Sequence, residues 1–214
     1  VIYSMTIKLR DRKYIFVDLD KTLWNWDSKI EGAEELADGL KEKGKKLYFH
    51  TDNNILSREQ YAEKLSSMNI PADKEDIISS GYVLAQKLAE NNVKKVYPVS
   101  EEGLIKELEN KNTEISEDAN TVVTGLDRQF NYKKLVKAME ILQKGGTLYT
   151  TSTESTTKLG SNVRPHEKPI NKALETFSDE TKFVGKPSEH FKKEFKKYFT
   201  FIPEDSIFIG DRLA

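Results

Sequence analysis

Short β-type runs that alternate with helical patterns constrain the fold of this 214-residue chain more than any other feature. Such alternation is typical of a parallel α/β sheet, because each parallel strand must be reached by a crossover that is usually helical. The chain is long enough for one large domain or two modest ones. The candidate strands are Tyr14–Leu19, Lys46–His50, Lys95–Val99, Thr121–Gly125, Thr147–Thr151, Thr181–Val184 and Ser206–Ile209. The predicted fold class is therefore α/β.

Helical patterns fill the segments between these strands. Ser57 stands three residues before Gln60, which is the spacing of a capping box at the start of a helix. Apolar residues then recur at helical spacing, and we interpret these stripes as packing surfaces. The stripes are Tyr61, Leu65 and Met68; Leu36 and Leu40; Leu135, Met139 and Leu142; and, after a candidate cap at Ser188, Phe191, Phe195 and Tyr198.

The composition excludes several classes of function. Acidic and basic residues nearly cancel, to a formal net charge of −1, so the charge does not indicate nucleic acid or an anionic membrane as a partner. Cysteine is absent, which excludes disulfides, thiolate catalysis and cysteine-ligated zinc and fits a cytoplasmic location. No apolar run approaches the length of a membrane span. We therefore expect a globular cytoplasmic protein that binds neither nucleic acid nor a membrane.

Two carboxylates, Asp18 and Asp20, come directly after the apolar run of the first candidate strand. Because side chains alternate between the faces of a strand, both aspartates point to one side while Leu19 points to the other. Open α/β sheets bind ligands at the carboxyl ends of their strands. Two neighbouring acids repel each other unless a cation or a bound proton separates them. The pair favours a Mg²⁺ site, in which one carboxylate attacks and the other carries a proton, over a polar turn that caps a helix.

Three further clusters follow other candidate strands. The run Thr51-Asp-Asn53 offers a hydroxyl and successive N–H groups to a phosphate, although the same residues also form ordinary turns. Lys186, between a glycine and a proline, either neutralises a phosphoryl group or is a solvated surface lysine. Asp211 follows the last candidate strand, and its carboxylate suits the oxygen shell of Mg²⁺. His50 ends a candidate strand and is interpreted as a hydrogen-bonded packing residue.

Taken in this order, the four clusters resemble the motif series of the haloacid dehalogenase (HAD) superfamily. The resemblance is closer still to its branch with a large α/β cap, which includes NagD and the p-nitrophenyl and phosphoglycolate phosphatases. It covers most of the chain from Tyr14 onward, and it implies a Rossmann-like parallel-sheet core with an inserted α/β cap domain. The motifs are Asp18-Leu-Asp-Lys-Thr-Leu-Trp24, Thr51-Asp-Asn-Asn-x-x-Ser57-Arg58, Ile77-Ile-Ser-Ser-Gly81, Gly125-Leu-Asp-Arg128, Gly185-Lys-Pro-Ser188 and Gly210-Asp-Arg-Leu213.

The resemblance also implies a role for each cluster in the Mg²⁺-dependent hydrolysis of a small phosphorylated metabolite. Asp18 would attack phosphorus and form an aspartyl-phosphate. Asp20 would protonate the leaving oxygen and later activate water. Lys186 would offset the charge of the nucleophile and the phosphate. The phosphoryl group would be held by Thr51, Asp52, Asn53 and Lys186, and Mg²⁺ by Asp18, the Asp20 carbonyl and Asp211.

Several positions depart from the usual sequence of this branch. Lys21 replaces the glycine that is common after Asp-x-Asp, and it either adds positive charge at the site or has no effect. Asp52 occupies the usual asparagine position, where its carboxylate opposes a phosphate unless it turns away. The substrate-contacting cap loops read Thr151-Ser-Thr-Glu154 and Pro165-His-Glu-Lys168, without the usual glycines. The cap residues expected to set substrate specificity are Ser152, Glu154 and His166.

The domain order follows from a middle segment of roughly domain size. We expect a first core part at residues 1–99, an inserted α/β cap at 100–179 and a second core part at 180–214. The second core part is expected to be incomplete, because parallel sheets and the resembling proteins normally continue beyond this point. Large-capped members often pair through their caps, and a homodimer is one oligomeric state that the sequence allows.

Two other functions stay open on the sequence alone. Asp52, the altered cap loops and the early C-terminus also suit a phosphate- or metal-binding homologue with little or no catalytic activity. A receiver-type signalling domain likewise gathers Asp, Thr and Lys at strand ends. Asp20, two residues after Asp18, and the inserted middle segment argue against that second reading.

Overall fold

A computed structural model of the protein describes residues 9–25, 28–159 and 162–211. Arg212 and Leu213, which end the last motif, lie outside these residues. The strands are β1 (Tyr14–Asp18), β2 (Trp24–Asn25), β3 (Ser28–Lys29), β4 (Lys46–Thr51), β5 (Ile77–Ser79), β6 (Lys95–Val99), β7 (Glu114–Ile115), β8 (Thr121–Thr124), β9 (Thr147–Thr150), β10 (Thr156–Leu159), β11 (Asn162–Pro165), β12 (Thr181–Phe183) and β13 (Ser206–Ile209). The helices are α1 (Ala33–Glu42), α2 (Arg58–Ser67), α3 (Ser80–Glu90), α4 (Glu102–Glu109), α5 (Tyr132–Leu142), α6 (Lys168–Glu175) and α7 (Glu189–Tyr198). Across these ranges no helix combines the length and the apolar character that a membrane crossing requires.

The first sheet forms the core and has the strand order β13-β1-β4-β5, with all strands parallel. Its central strand β1 is buried on both faces. Ile15 and Val17 pack with α1 and α2 on one face, whereas Tyr14 and Phe16 pack with α3 and α7 on the other. A parallel strand buried in this way reads as a continuous apolar run, which is why its sequence predicted it. The predicted parallel α/β core is confirmed.

The second sheet has the order β12-β9-β8-β6-β7, and its strands are also parallel. It includes β6 and β12, which both lie outside the segment 100–179 predicted for the cap. These two strands have the same apolar, β-type composition as the core strands, so the sequence does not show which sheet they join. We propose that the cap extends from Lys95 to Phe183, because strands of one sheet form one unit.

Helix α3 packs against both sheets and so fixes the cap relative to the core. Tyr82 and Val83 belong to the aromatic cluster around Phe16, on one face of the core sheet. Leu84 and Leu88, further along the same helix, lie in the apolar cluster beneath the second sheet. The two sheets therefore share one helix as part of their hydrophobic cores.

A buried ion pair completes the contact between core and cap. Arg58, at the start of α2, donates its backbone N–H (2.8 Å) and its Nε (3.2 Å) to Oε1 of Glu107 in α4. The Arg58 guanidinium also lies 3.8 Å from the ring centre of Tyr82. Such a pair adds little net stability, but removing one partner leaves a buried charge without compensation. It therefore favours one position of α4 against α2.

An antiparallel hairpin of β10 and β11 follows the second sheet. The sequence patterns predict no strand here. The residues of β11, Asn162–Pro165, are all exposed, so this strand has no buried apolar face that a sequence pattern could reveal. Thr156 and Thr157 of β10 line the candidate site described below.

Close packing requires glycine at one cap position. A Cβ on Gly103, in α4, would lie 2.3–2.5 Å from backbone atoms of Leu56. Gly103→Ala is therefore expected to lower the free energy of unfolding by ~1–3 kcal/mol, the usual range for overpacking. The matched control is Gly39→Ala in α1, where a Cβ meets nothing within 4 Å and where alanine is expected to add about 0.5–1 kcal/mol. Urea denaturation measures both values, and equal stability of the two variants would contradict this packing.

Candidate active site

Parallel pairing brings the candidate site residues to one edge of the core sheet. β1 ends at Asp18, which pairs with His50 of β4, and on the other side Val17 pairs with Ile209 of β13. The residues that follow these strands consequently meet over one cleft of about 50 Å³. The cleft is lined by Asp18, Asp20, Lys21, Asn25, Asp52, Asn53, Leu126, Glu154, Thr156, Thr157, His166 and Asp211.

Asp18 forms an ion pair with Lys186 at the floor of this cleft. Lys186 Nζ lies 2.7 Å from Asp18 Oδ1 and 3.1 Å from Nδ1 of His50, and that ring nitrogen is 3.3 Å from Asp18 Oδ1. Burial raises the pKa of the Asp18 carboxyl, but the hydrogen bond from His50 and the charge of Lys186 outweigh it and hold the pKa below its ordinary value. Burial, together with the charge of Lys186, lowers the pKa of His50. Asp18 is therefore an ionised carboxylate beside a cation and a neutral imidazole.

Asp20 has the opposite electrostatic character. Its Oδ1 accepts from Nε1 of Trp24 (2.9 Å), and its Oδ2 accepts from Nδ2 of Asn53 (3.2 Å) and from the hydroxyl of Thr51 (3.4 Å). Burial raises the pKa of Asp20, as does the charge of Asp18, and the hydrogen bonds from Trp24 and Asn53 only partly offset this. Asp20 thus keeps its proton to higher pH than a free aspartate, as a proton donor requires.

The loop after β4 holds the candidate phosphate-binding residues. Thr51 is buried at the end of the strand, and its hydroxyl accepts from the backbone N–H of Asn53 at 3.0 Å. The Tyr61 hydroxyl donates to the carbonyl of Asn53 (3.1 Å), which ties the loop to α2. Asp52 and Asn53 line the cleft, whereas Thr51 and Lys186 lie behind its surface. The loop therefore faces Asp18 and Asp20 directly.

Asp18, Asp20 and Asp211 line one cleft and fit the predicted Mg²⁺ by donor chemistry, since this ion prefers carboxylate and carbonyl oxygens together with waters. Within residues 9–25, 28–159 and 162–211, no group of three or more His, Cys, Asp or Glu side chains is placed to hold a metal ion. The predicted ligand set contains only two side chains, because Asp20 contributes its backbone carbonyl. The absence of a three-side-chain group among these residues therefore does not conflict with the predicted set.

The cap residues predicted to set specificity take up two different positions. Glu154 and His166 line the cleft opposite the aspartates. Ser152 is buried behind them, where its hydroxyl lies 3.5 Å from Nδ1 of His166 and accepts from the backbone N–H of Glu154 at 3.2 Å. Burial lowers the pKa of His166. Ser152 thus supports the two residues that face the cleft.

A second cavity of about 550 Å³ adjoins the cleft and shares Leu126, Thr157 and His166 with it. Its volume is in the usual range for a small-molecule site. Two of its charged residues are already paired, Asp127 with Lys134 and Arg128 with Glu101. Its other lining residues are Phe130, Arg164, Pro165, Pro169 and Ile170. This largely apolar wall suits the organic part of a ligand whose phosphate lies in the cleft.

Three residues of the site were missed by the sequence analysis or given another role. His50, interpreted as a packing residue, contacts both Asp18 and Lys186. Trp24 donates to Asp20, and a single sequence gives no signal for such a contact. Asn54 accepts from the backbone N–H of Leu126 in the cap at 3.1 Å. Asn54 belongs to the motif Thr51-Asp-Asn-Asn-x-x-Ser57-Arg58, but the motif alone does not indicate this contact with the cap.

Lys21 adopts a left-handed backbone conformation (φ 62°) directly after Asp20. Glycine adopts this region without strain, which gives a physical reason for the glycine usual at this position. The free energy of unfolding of the Lys21→Gly variant is expected to be about 1 kcal/mol higher than that of the Lys21→Ala variant. Both variants lack the charge of Lys21, but only alanine keeps the backbone strain. Chemical denaturation of the two variants measures the difference. Equal stabilities would show that the backbone at this position is not strained.

Comparison with known proteins shows which sequences and structures this chain resembles. Residues 15–114 match the family model described as haloacid dehalogenase-like hydrolase. The chain is 30% identical over 228 residues to phosphoglycolate phosphatase 1A, chloroplastic, of Arabidopsis thaliana, an alignment that covers 94% of this chain and 63% of that protein. It is 27% identical over 209 residues to the 5'-nucleotidase YutF of Bacillus subtilis, covering 96% and 82% of the two chains. The chain thus spans slightly less than two thirds of the length of the Arabidopsis relative.

A structural comparison gives the same result. The crystal structure of 4-nitrophenylphosphatase from Thermotoga maritima superposes with a TM-score of 0.86 at 25% identity, over 95% of this chain and 80% of that one. The parallel core sheet and its α/β partner therefore match a solved phosphatase of the predicted branch. Together with the sequence matches, this confirms the predicted resemblance of the chain to the haloacid dehalogenase-like hydrolases.

Proposed function

We propose that this protein is a phosphatase that hydrolyses a small phosphorylated metabolite through an aspartyl-phosphate on Asp18. The observation that carries the proposal is the pairing of Asp18 with Lys186 at 2.7 Å, in a cleft that Asp20 also lines. An ionised nucleophile, a cation and a second acid with a raised pKa are the groups that this reaction needs. The relatives named above are two phosphatases and a 5'-nucleotidase, and all three names describe release of phosphate from a monoester.

In the first step, an Asp18 carboxylate oxygen attacks phosphorus, and the bond from phosphorus to the leaving oxygen breaks. Asp20 donates its proton to that oxygen, so the organic product leaves as a neutral alcohol. Lys186 reduces the repulsion between the carboxylate and the phosphoryl oxygens. His50 Nδ1, on the neighbouring strand, lies 3.3 Å from Asp18 Oδ1 and orients that carboxylate.

In the second step, Asp20 accepts a proton from a water molecule, whose oxygen attacks phosphorus. The bond between Asp18 and phosphorus breaks, which releases inorganic phosphate and regenerates both carboxyl groups. The proton that Asp20 gave to the leaving group in the first step is thereby replaced. Splitting one difficult hydrolysis into two displacements is the advantage of the covalent intermediate.

The phosphoryl oxygens would be held by Lys186 and by the loop from Thr51 to Asn53. Thr51 would contribute its hydroxyl, Asp52 its backbone N–H and Asn53 its amide. Asp18, the Asp20 carbonyl and Asp211 would hold Mg²⁺, which when bound supplies positive charge next to the phosphate. The adjoining cavity of about 550 Å³ would take the leaving group. The cytoplasmic location expected from the composition, and a homodimer as one oligomeric state that the resemblance allows, also belong to the proposal.

The nucleophile assignment is tested by Asp18→Asn. This variant is expected to lose turnover of p-nitrophenyl phosphate with Mg²⁺ by about 10³-fold or more, because an amide does not attack phosphorus. Asp20→Asn is expected to lose about 10²–10⁴-fold, the usual contribution of general acid–base catalysis. Asp38→Asn, the same chemical change at an exposed position of α1, is the control and keeps full activity.

Two results would overturn the proposal. One is substantial activity in a folded Asp18→Asn variant, with folding checked by circular dichroism. The other is a lack of turnover by the unaltered chain across a panel of phosphate monoesters with Mg²⁺. If the unaltered chain then still binds inorganic phosphate or Mg²⁺ by calorimetry, the second result would favour the alternative of a non-catalytic binding homologue.

A further inference from the structure

Glu167 is a fully buried acid between β11 and α6 that takes no part in the proposed chemistry. Its Oε1 accepts from the backbone N–H groups of Thr151 (2.9 Å) and Ser152 (3.1 Å) and from Nδ2 of Asn171 (3.2 Å). Its Oε2 lies 2.8 Å from the hydroxyl of Thr151. No ion pair involves Glu167 in the part of the chain that the structure describes. A buried acid of this kind is neutral unless a cation compensates it.

The hydrogen bonds of Thr151 identify where the proton lies. The Thr151 hydroxyl has one proton but lies close to two acceptors, the carbonyl of Thr124 (3.0 Å) and Oε2 of Glu167 (2.8 Å). The same hydroxyl oxygen also accepts from Nδ2 of Asn54. An ionised Glu167 would leave one of the two short oxygen–oxygen contacts without a proton. A proton on Oε2 satisfies both of these contacts of the Thr151 hydroxyl, because Glu167 then donates to Thr151 and Thr151 donates to the carbonyl of Thr124.

Electrostatics act in the same direction as this geometry. Burial raises the pKa of Glu167 to about 7, against the lowering effect of the hydrogen bonds from Thr151, Ser152 and Asn171. None of these donors titrates. The titratable neighbours along the chain are His166, which is buried, and Lys168, which is exposed.

The network around Glu167 joins the phosphate loop of the core to the substrate-facing part of the cap. Asn54, directly after the phosphate loop, binds Thr151 with its Nδ2 and accepts from the backbone N–H of Leu126 with its Oδ1 (3.1 Å). Leu126 and His166 line both the cleft and the larger cavity. Glu167 holds the segment from Thr151 to Ser152 against the side-chain amide of Asn54. Its contacts therefore set where the cap residues stand relative to the core.

We propose that Glu167, as a neutral carboxylic acid, is a positioning residue that fixes the substrate-facing loop of the cap over the phosphate loop of the core. The proposal rests on the proposed phosphatase function for its kinetic test. Glutamine has the shape and the hydrogen-bonding pattern of a protonated glutamate, since its amide nitrogen donates where Oε2–H donates. Alanine removes both groups and leaves the buried N–H groups without an acceptor.

The kinetic test compares Glu167→Gln with Glu167→Ala, using p-nitrophenyl phosphate and Mg²⁺. Glu167→Gln is expected to keep the kcat/KM of the unaltered protein at pH 6. Glu167→Ala is expected to lose about tenfold, the equivalent of one buried hydrogen bond. The matched control is Glu107→Gln, the same substitution at another buried glutamate. Because Glu107 forms an ion pair with Arg58, this control is expected to destabilise the fold. A folded Glu167→Gln variant as impaired as Glu167→Ala would overturn the proposal.

The pH profile gives a second readout. Because the pKa of Glu167 in the folded protein, about 7, lies above its ordinary value of 4.5, the stability that Glu167 contributes is fully present below pH 4.5 and is lost as the pH rises through about 7. The kcat/KM of the unaltered protein is expected to fall over the same range. Glu167→Gln, which does not titrate, is expected to lack this component of the fall, and an unchanged profile would overturn the proposal.

Infrared spectroscopy tests the proton itself without any turnover. The unaltered protein at pH 6 is expected to show the C=O band of a protonated carboxylic acid that is absent from Glu167→Gln. This measurement separates the proposal for Glu167 from the proposed phosphatase function, because a protein without phosphatase activity can still show the band. Absence of any band difference between the two proteins would overturn the assignment of a neutral Glu167, whatever the activity.

Discussion

The parallel pairing of β1 with β4 and β13 is the constraint on which the site depends. In a parallel sheet all strands end at the same edge, so residues far apart in sequence meet there without any long-range signal. Asp18 pairs directly with His50, and Asp211 follows the strand on the other side of β1. Because helices cover both faces of β1, a one-residue shift of its register would move every core side chain to the opposite face and displace Asp18 from His50. Packing therefore fixes the geometry of the candidate site.

The two aspartates differ in protonation although they are identical in chemistry and two residues apart. Asp18 faces a lysine and an imidazole, whereas Asp20 faces an indole N–H, an amide and a hydroxyl. Neutral donors stabilise a carboxylate less than a cation does, so the burial of Asp20 is less fully compensated. One motif thus yields an ionised carboxylate and a carboxyl group that keeps its proton to higher pH.

Sequence patterns predicted the parts of this protein that follow local rules. The seven candidate strands appear within one residue of their predicted ends, and the caps at Ser57 and Ser188 accept from Gln60 N (3.3 Å) and Phe191 N (3.1 Å). Other features depend on contacts between distant residues and carry no local signal. Strand β11 is exposed along its length, and β6 of the second sheet resembles a core strand. Likewise, the roles of His50 and Glu167 depend on partners that only the tertiary fold supplies.

The segment that carries Lys186 is fixed by the cap as well as by the core. A Cβ on Gly185 would lie 1.6 Å from the carbonyl oxygen of Thr151, so the chain leaving the cap sheet runs against the end of β9. The next residue reaches across to Asp18 at 2.7 Å. The position of Lys186, and with it the ion pair to Asp18, therefore depends on how the second sheet packs against the core sheet. The buried Arg58–Glu107 pair joins elements of the same two units, and removing either partner would leave a buried charge without compensation.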